Sequence, residues 1–314
     1  MVYLITGGAG FIGRWVVKNL ISKEKKVVII DNLSNGQIEN IKEFENDKNF
    51  IEFISDDIRN QEIINSLFLK YKFSICIHLA AQINVQESID FPERAFENNV
   101  IGTYNILEAA RKFNTKVVLV GTCMVYNLAN SKIAISEDHE IKPVSPYAGS
   151  KLAAEELALS YFYGLKLPVV ILRPFNTYGP FQKTNMDGGV VSIFIMRKIN
   201  NKELMIYGDG KQTRDFLYVE DCAEFIVKAS ENDKCIGEII NAGTGKDISI
   251  NDLAKLIIKD EKLIKHVEHH HPQAEIMKLV CNNTKVRGML DWKPKTSLEE
   301  GLIILEKWLR EAKN

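Results

Sequence analysis

Short apolar runs alternate along this chain with longer stretches in which apolar residues recur every three or four positions. Val2-Tyr3-Leu4-Ile5-Thr6 is the first run. Val27 to Ile30, Asn49 to Ile54, Ile75 to Leu79, Val117 to Val120 and Val169 to Leu172 repeat its character. Short runs that are apolar nearly throughout predict strands buried on both faces. Between them, Phe11 to Ile21 and residues 61–71, 92–113 and 146–163 carry the helical period. Strands alternating with helices predict an α/β fold with a doubly wound parallel sheet, because parallel neighbours need a crossover helix. After Arg173 the alternation breaks down, and Gly, Pro and Asn cluster at 174–189. The expected division is a sheet domain over 1–174, to which 215–241 return. Residues 175–214 and 242–314 then form a smaller C-terminal α/β lobe.

Composition narrows the classes. The 314 residues are 46% hydrophobic, enough for a substantial core in one large domain or two moderate ones. Forty basic residues against 41 acidic ones give a net charge of −1, without the basic excess that nucleic-acid or membrane-surface binding requires. No apolar run approaches the length of about 18 residues that spans a bilayer. The opening MVYLITGGAG reads as strand and turn, not as a cleavable signal, so a cytoplasmic protein is expected. Cysteines 76, 123, 222, 235 and 281 show no CxxC spacing and read mostly as small buried apolar residues of a reducing compartment. His269, His270 and His271 suggest a metal cluster, but three consecutive residues cannot all face one ion on a regular element. A surface loop before Pro272 is expected, and no metal.

The first predicted turn reads Gly7-Gly8-Ala9-Gly10-Phe11-Ile12-Gly13. Glycine is required where the backbone turns sharply, approaches a pyrophosphate, or lets helix pack on strand. The following helix directs its positive end and free N–H groups at phosphates. Asp31 closes the second strand, 18 residues after Gly13. A carboxylate there can accept both ribose hydroxyls and repels a 2′-phosphate, so this Rossmann-type domain is expected to bind NAD rather than NADP.

Tyr147 and Lys151 lie four apart at the start of a predicted helix, on one face. A free tyrosine is a poor base at neutral pH, with a pKa of about 10. A neighbouring ammonium and an oxidised nicotinamide both favour the phenolate. Tyr147 could then take the proton from a substrate hydroxyl while hydride leaves the same carbon for NAD. Thr122, just beyond the strand at 117–120, would hydrogen-bond that oxygen.

Taken together, these residues resemble the extended short-chain dehydrogenase/reductase family, specifically its nucleotide-sugar epimerases and dehydratases. The segments that carry the resemblance are ITGGAGFIG, Asp31-Asn32, Asp56-Asp57-Ile58-Arg59, His78-Leu79-Ala80-Ala81-Gln82 and Asn98-Asn99-Val100-Ile101-Gly102-Thr103. SPYAGSK, Arg173-Pro174-Phe175-Asn176 with Tyr178-Gly179-Pro180, YGDGKQTRDFLYVED and Leu290-Asp291-Trp292-Lys293-Pro294 complete them. The resemblance implies a wider cofactor set of Gly7, Gly10, Phe11, Ile12, Gly13, Asp31, Asn32, Asn35, Gly36, Asp57, Ile58, Leu79, Ala80, Ala81, Gln82, Asn98, Tyr147, Lys151 and Phe175. It implies that Asn176, Gly189, Val190, Tyr207 and Arg214 hold a UDP-sugar in the smaller lobe, Arg214 on the diphosphate. It also implies a homodimer through the helices near 92–113 and 146–163. Two positions depart from the pattern: His271 stands near a frequent diphosphate-binding arginine, and Asn282 replaces a frequent aspartate.

The reaction turns on Thr122-Cys123-Met124. Relatives that dehydrate sugars across C4–C6 typically carry Thr-Asp-Glu here, the Glu removing the C5 proton and the Asp protonating the departing 6-hydroxyl. Methionine cannot transfer a proton, whereas a thiol can. Three readings follow. One is similar to the UDP-GlcNAc 5,6-dehydratases, with Cys123 assisting proton transfer and Met124 filling the space beside C6. The second is a UDP-hexose 4-epimerase whose Cys123 and Met124 only shape the pocket. The third is a catalytically silent NAD-binding regulator.

Overall fold

In the computed structural model, which describes residues 1–127, 133–185, 189–268 and 276–312, each apolar run predicted above forms a strand. The elements in order are β1 (Val2–Thr6), α1 (Phe11–Ser22), β2 (Lys26–Ile30), β3 (Phe50–Ile54), α2 (Gln61–Tyr71), β4 (Ile75–His78), α3 (Val85–Asp90), α4 (Pro92–Phe96), α5 (Gly102–Phe113), β5 (Lys116–Val120), α6 (Pro146–Leu165) and β6 (Val169–Pro174). Next come β7 (Asn176–Tyr178), α7 (Val190–Ile199), β8 (Leu204–Tyr207), β9 (Thr213–Arg214), β10 (Phe216–Tyr218), α8 (Val219–Glu231) and β11 (Ile239–Ala242). The chain closes with β12 (Ile248–Ser249), α9 (Ile250–Ile257), β13 (Ile264–Val267), β14 (Lys278–Leu279), α10 (Thr284–Leu290) and α11 (Leu298–Glu311).

Two compact units result: residues 1–125, 145–173 and 223–240, and residues 126–144, 174–222 and 241–314. The division differs from the sequence reading at two places. Residues 126–144 and 215–222 go with the second unit. Single-residue bridges explain the first case, since Tyr126 pairs with Ile141 and Ile135 with Cys281, an arrangement that leaves no periodic signature.

The first unit is built on a seven-stranded sheet ordered β11-β6-β5-β4-β1-β2-β3. The chain steps outward from β1 to β3 and then returns to β4 on the other side of β1. That reversal is the topological switch point, where open α/β sheets bind ligands beyond their strand ends. Core residues include Leu4, Val28, Ile30, Phe68, Ile106, Val117 and Ile171, which lie against helices as well as strands. Helix α6 starts where Ser145 accepts from the Ala148 N–H and Pro146 takes the first turn.

The helix predicted over 92–113 is interrupted. Glu97–Ile101 forms a π turn between α4 and α5, the kind of one-turn bulge that often marks a functional position. Among the described residues the second unit pairs short strands, β10 beside β7, β13 beside β8, and β12-β9-β14. Tyr178, Phe194, Leu204, Leu253 and Leu305 form part of its core.

Candidate active site

The glycine turn leaves β1 with Gly7 at φ +70, in the left-handed region, and a Cβ there would meet the Ala80 backbone N at 2.7 Å. This close approach brings the 79–82 loop beyond β4 against the turn beyond β1. Gly10 caps α1 without a side-chain bond, so the first N–H groups of Phe11, Ile12 and Gly13 have no side-chain cap. Asp31 is buried. Its Oδ2 accepts from Ala9 N at 3.0 Å and Oδ1 from Leu33 N at 2.9 Å. Burial pushes its carboxyl up while these backbone bonds pull it down. Gly36 lies against it, with 3.0 Å between Oδ2 and a would-be Cβ. Asn35 is half-buried beside it.

The far end of the site is braced by ions. Asn32 donates to Asp57 Oδ2 at 2.8 Å, and Arg59 grips both oxygens of Asp57 while reaching Glu97. The Arg59 hydrogen bonds hold Asp57 below the usual carboxylate range against its partial burial. Ile58 is buried and supports Gly102. A crowded glycine turn, uncapped helix N–H groups and a buried carboxylate at the second strand end fit a dinucleotide with free ribose hydroxyls.

The catalytic set gathers at the end of β5. Lys151 is buried, and its Nζ donates to Val120 O at 2.7 Å. Thr122 Oγ1 accepts from Met124 N at 3.2 Å, which leaves its proton for the Tyr147 oxygen, its side-chain partner. Cys123 is buried, and Met124 is half-buried. Burial drives Tyr147 up to about 12, with Thr122 opposing and Cys123 and Glu155 adding to the rise. Burial brings Lys151 down to about 8 against the pull of Glu155.

A polar network runs beneath this set. Thr6 Oγ1 lies 2.6 Å from His78 Nδ1, and His78 Nε2 lies 3.0 Å from Thr103 Oγ1. Thr103 donates to Asn99 O at 2.6 Å. Asn99 Oδ1 accepts from Gln82 N at 2.8 Å, and its Nδ2 donates to Gln82 O at 3.1 Å and Ser150 Oγ at 2.9 Å. Burial holds His78 neutral, down to about 3. Asn98, the asparagine singled out from the sequence, is half-buried and donates to Arg94 O at 2.8 Å. The buried Asn99 ties the 79–82 loop to α6.

The second unit carries the remaining predicted residues. Phe175 is buried, and Asn176 Oδ1 is a buried acceptor without a partner among the described residues. Gly189 caps α7, whose first residue is Val190, with no side-chain cap. Tyr207 ends β8 and is 39% exposed. Arg214 Nη1 donates to Thr213 O and Ile276 O at 2.8 and 2.7 Å. Beside it, the buried Asp215 carboxylate accepts from Thr244 N, Thr244 Oγ1, Gly245 N and Cys281 N. Asn282 accepts from the Thr284 N–H at 3.0 Å. His269 to His271 lie outside the described residues. Among the described residues no cluster of three metal-ligating side chains occurs.

The family profile described as GDP-mannose 4,6 dehydratase matches residues 4–304. A putative UDP-glucose 4-epimerase of Methanocaldococcus jannaschii is 38% identical over 312 residues, covering 98% of each chain. The crystal structure of Pal from Bacillus thuringiensis superposes with a TM-score of 0.98 at 55% identity, covering 99% of this chain and 100% of that one. The Thermus thermophilus UDP-glucose 4-epimerase in complex with NAD gives a TM-score of 0.90 at 30% identity, with 99% and 100% covered.

Proposed function

The chain belongs to the GDP-mannose 4,6-dehydratase family, and from that premise we propose an NAD-dependent dehydratase of UDP-GlcNAc that forms a UDP-6-deoxy-5,6-ene sugar. The substrate is oxidised at C4, loses its C5 proton and the C6 hydroxyl as water, and regains hydride at C4. NAD supplies the hydride acceptor and donor. The turn from Gly7 to Gly13, Asp31, Asn32, Asn35, Gly36, Asp57, Ile58, residues 79–82, Asn98 and Phe175 are the residues proposed to hold it. Tyr147 takes the proton of the C4 hydroxyl, Thr122 donates to the same oxygen, and Lys151 favours the phenolate. Asn176, Gly189, Val190, Tyr207 and Arg214 hold the nucleoside diphosphate. The unpartnered Asn176 Oδ1 supports a polar ligand there.

The observation that carries the choice of elimination is Cys123. Within Thr122-Cys123-Met124 it is the one side chain able to transfer a proton besides the threonine hydroxyl, and it acts on Tyr147 electrostatically. Epimerisation at C4 needs no second acid at this point. The epimerase names of the relatives favour the second reading, a UDP-hexose 4-epimerase. The intact Thr122, Tyr147 and Lys151 set argues against a silent regulator.

Incubating the protein with UDP-GlcNAc and NAD, followed by mass analysis, separates these readings. Elimination removes the mass of one water, and epimerisation leaves mass unchanged with a new stereocentre. No conversion of any nucleotide sugar would remove both. Cys123→Ala is expected to block elimination while bound cofactor is still reduced. An unchanged dehydration rate would take Cys123 out of the mechanism.

Two further proposals concern the setting. Phe96, Ile101 and Tyr104 in the stretch from α4 to α5, and Tyr163 on α6, are exposed, which supports a homodimer through these helices. Five buried cysteines without CxxC spacing support a cytoplasmic location. Among the described residues no helix is long and apolar enough to cross a membrane.

A further inference from the structure

A buried ion pair lies beneath the catalytic set and has no part in the chemistry above. Glu155 follows Lys151 by one turn of α6, and Arg173 lies on β6. Both side chains are fully buried. Arg173 Nε and Nη2 donate to Glu155 Oε2 at 2.9 and 2.6 Å. Glu155 Oε1 has no hydrogen-bond partner of good geometry. It lies against Gly121, where any Cβ would strike it. The Thr122 N–H acts on the same carboxylate. Gly121 N is itself bonded to Leu172 O at 2.7 Å, and Val120 O accepts from Lys151.

The strand end is therefore held from both neighbours, Val120 O by Lys151 of α6 and Gly121 N by Leu172 of β6, with the Glu155 carboxylate packed against Gly121 next to Thr122. Burying two charges is costly, and an apolar pair of similar volume often serves stability as well. The location of this pair supplies another reason for it. Burial pushes the Glu155 carboxyl up, and the Arg173 charge with its two hydrogen bonds opposes that rise. From there its charge reaches Lys151 and Tyr147.

We propose that Glu155, clamped by Arg173, is a positioning residue for proton transfer at Tyr147, fixing the strand end that carries Thr122 and sustaining the charge of Lys151. The inference rests on Tyr147 and Lys151 being the proton-transfer pair of the proposed function. The charged and titratable groups around Lys151 are Glu155 and Tyr147 of its own helix, His78 at the end of β4, Arg173 of β6 and Cys123 beyond β5. His78 stays neutral across the working range, which leaves Glu155 as the carboxyl group facing Lys151.

The test follows the Cε resonance of isotopically labelled Lys151, identified by its loss in Lys151→Arg, against pH without substrate. In Glu155→Gln the midpoint is expected to fall by about one pH unit. An unchanged midpoint would overturn the proposal. Glu155→Asp keeps the charge and the fold but withdraws the carboxylate from the strand end. Its kcat on UDP-GlcNAc, per NAD-binding site, is expected to fall roughly tenfold to a hundredfold with KM unchanged. Lower thermal stability with wild-type kcat would mark a purely structural pair and sink the idea. Should wild type convert no UDP-sugar, the proposed function falls, and the Lys151 titration still decides this inference.

Discussion

Lys151 carries a cost that is visible in stability as well as in catalysis. Burial brings its folded pKa down to about 8, against about 10.4 for a free lysine. Between those values the unfolded chain holds a proton that the folded chain has lost, so this group's contribution to stability rises with pH across the window. The rise is on the order of 2–3 kcal/mol between pH 8 and 10, at about 1.4 kcal/mol per pH unit. Cys76 and Cys222, pushed up by burial, act oppositely above the ordinary thiol range. The difference between wild type and Lys151→Met in denaturant unfolding isolates the lysine, and a pH-independent difference would refute its burial as an ammonium. Tyr147→Phe retains the ring and removes the transferable proton. Its turnover is expected to drop by about 10²–10⁴, and full activity would overturn the assignment of the base.

At the scale of elements, the π turn is the feature that places the site. It carries the buried Asn99, whose one side chain satisfies the backbone of Gln82 on both sides and meets Ser150. Asn99→Ala removes the partner of the Gln82 backbone N–H and C=O and one of the two bonds of the buried Ser150 Oγ. We expect a loss of about 2–3 kcal/mol in unfolding free energy and weaker NAD binding, measured by denaturant midpoint and cofactor titration. Wild-type affinity would show that the 79–82 loop needs no such tether.

This element also marks where sequence reading stops. The strands of the first unit were legible because buried parallel strands are nearly continuous apolar runs. Glycine spacing and Asp31 were legible because close approach and charge leave few substitutes. The π turn was not, because one added residue leaves composition and periodicity almost unchanged. Glu155 offered a usable signal, a charge four residues after Lys151 on an otherwise buried face. The two- to four-residue strands of the second unit were too short to show a period.

At the scale of the whole molecule, each unit carries its own part of the proposed reaction. The catalytic set and the dinucleotide turn belong to the first, and Asn176 and Arg214 to the second. The proposed dimer face belongs to the first unit. Tyr104→Arg, at a side chain 41% exposed, is expected to convert dimer to monomer in sedimentation. An unchanged mass would place any interface elsewhere.

The cysteines give the molecule a built-in clock. Cys76, Cys123 and Cys235 lie in the first unit and Cys222 and Cys281 in the second, all of them buried. A thiol reagent therefore reacts only when the surrounding structure opens. The order in which the five positions acquire label reads out which unit breathes first. The slowing of Cys123 when a ligand is added would measure, without turnover, how far occupancy closes the catalytic strand end.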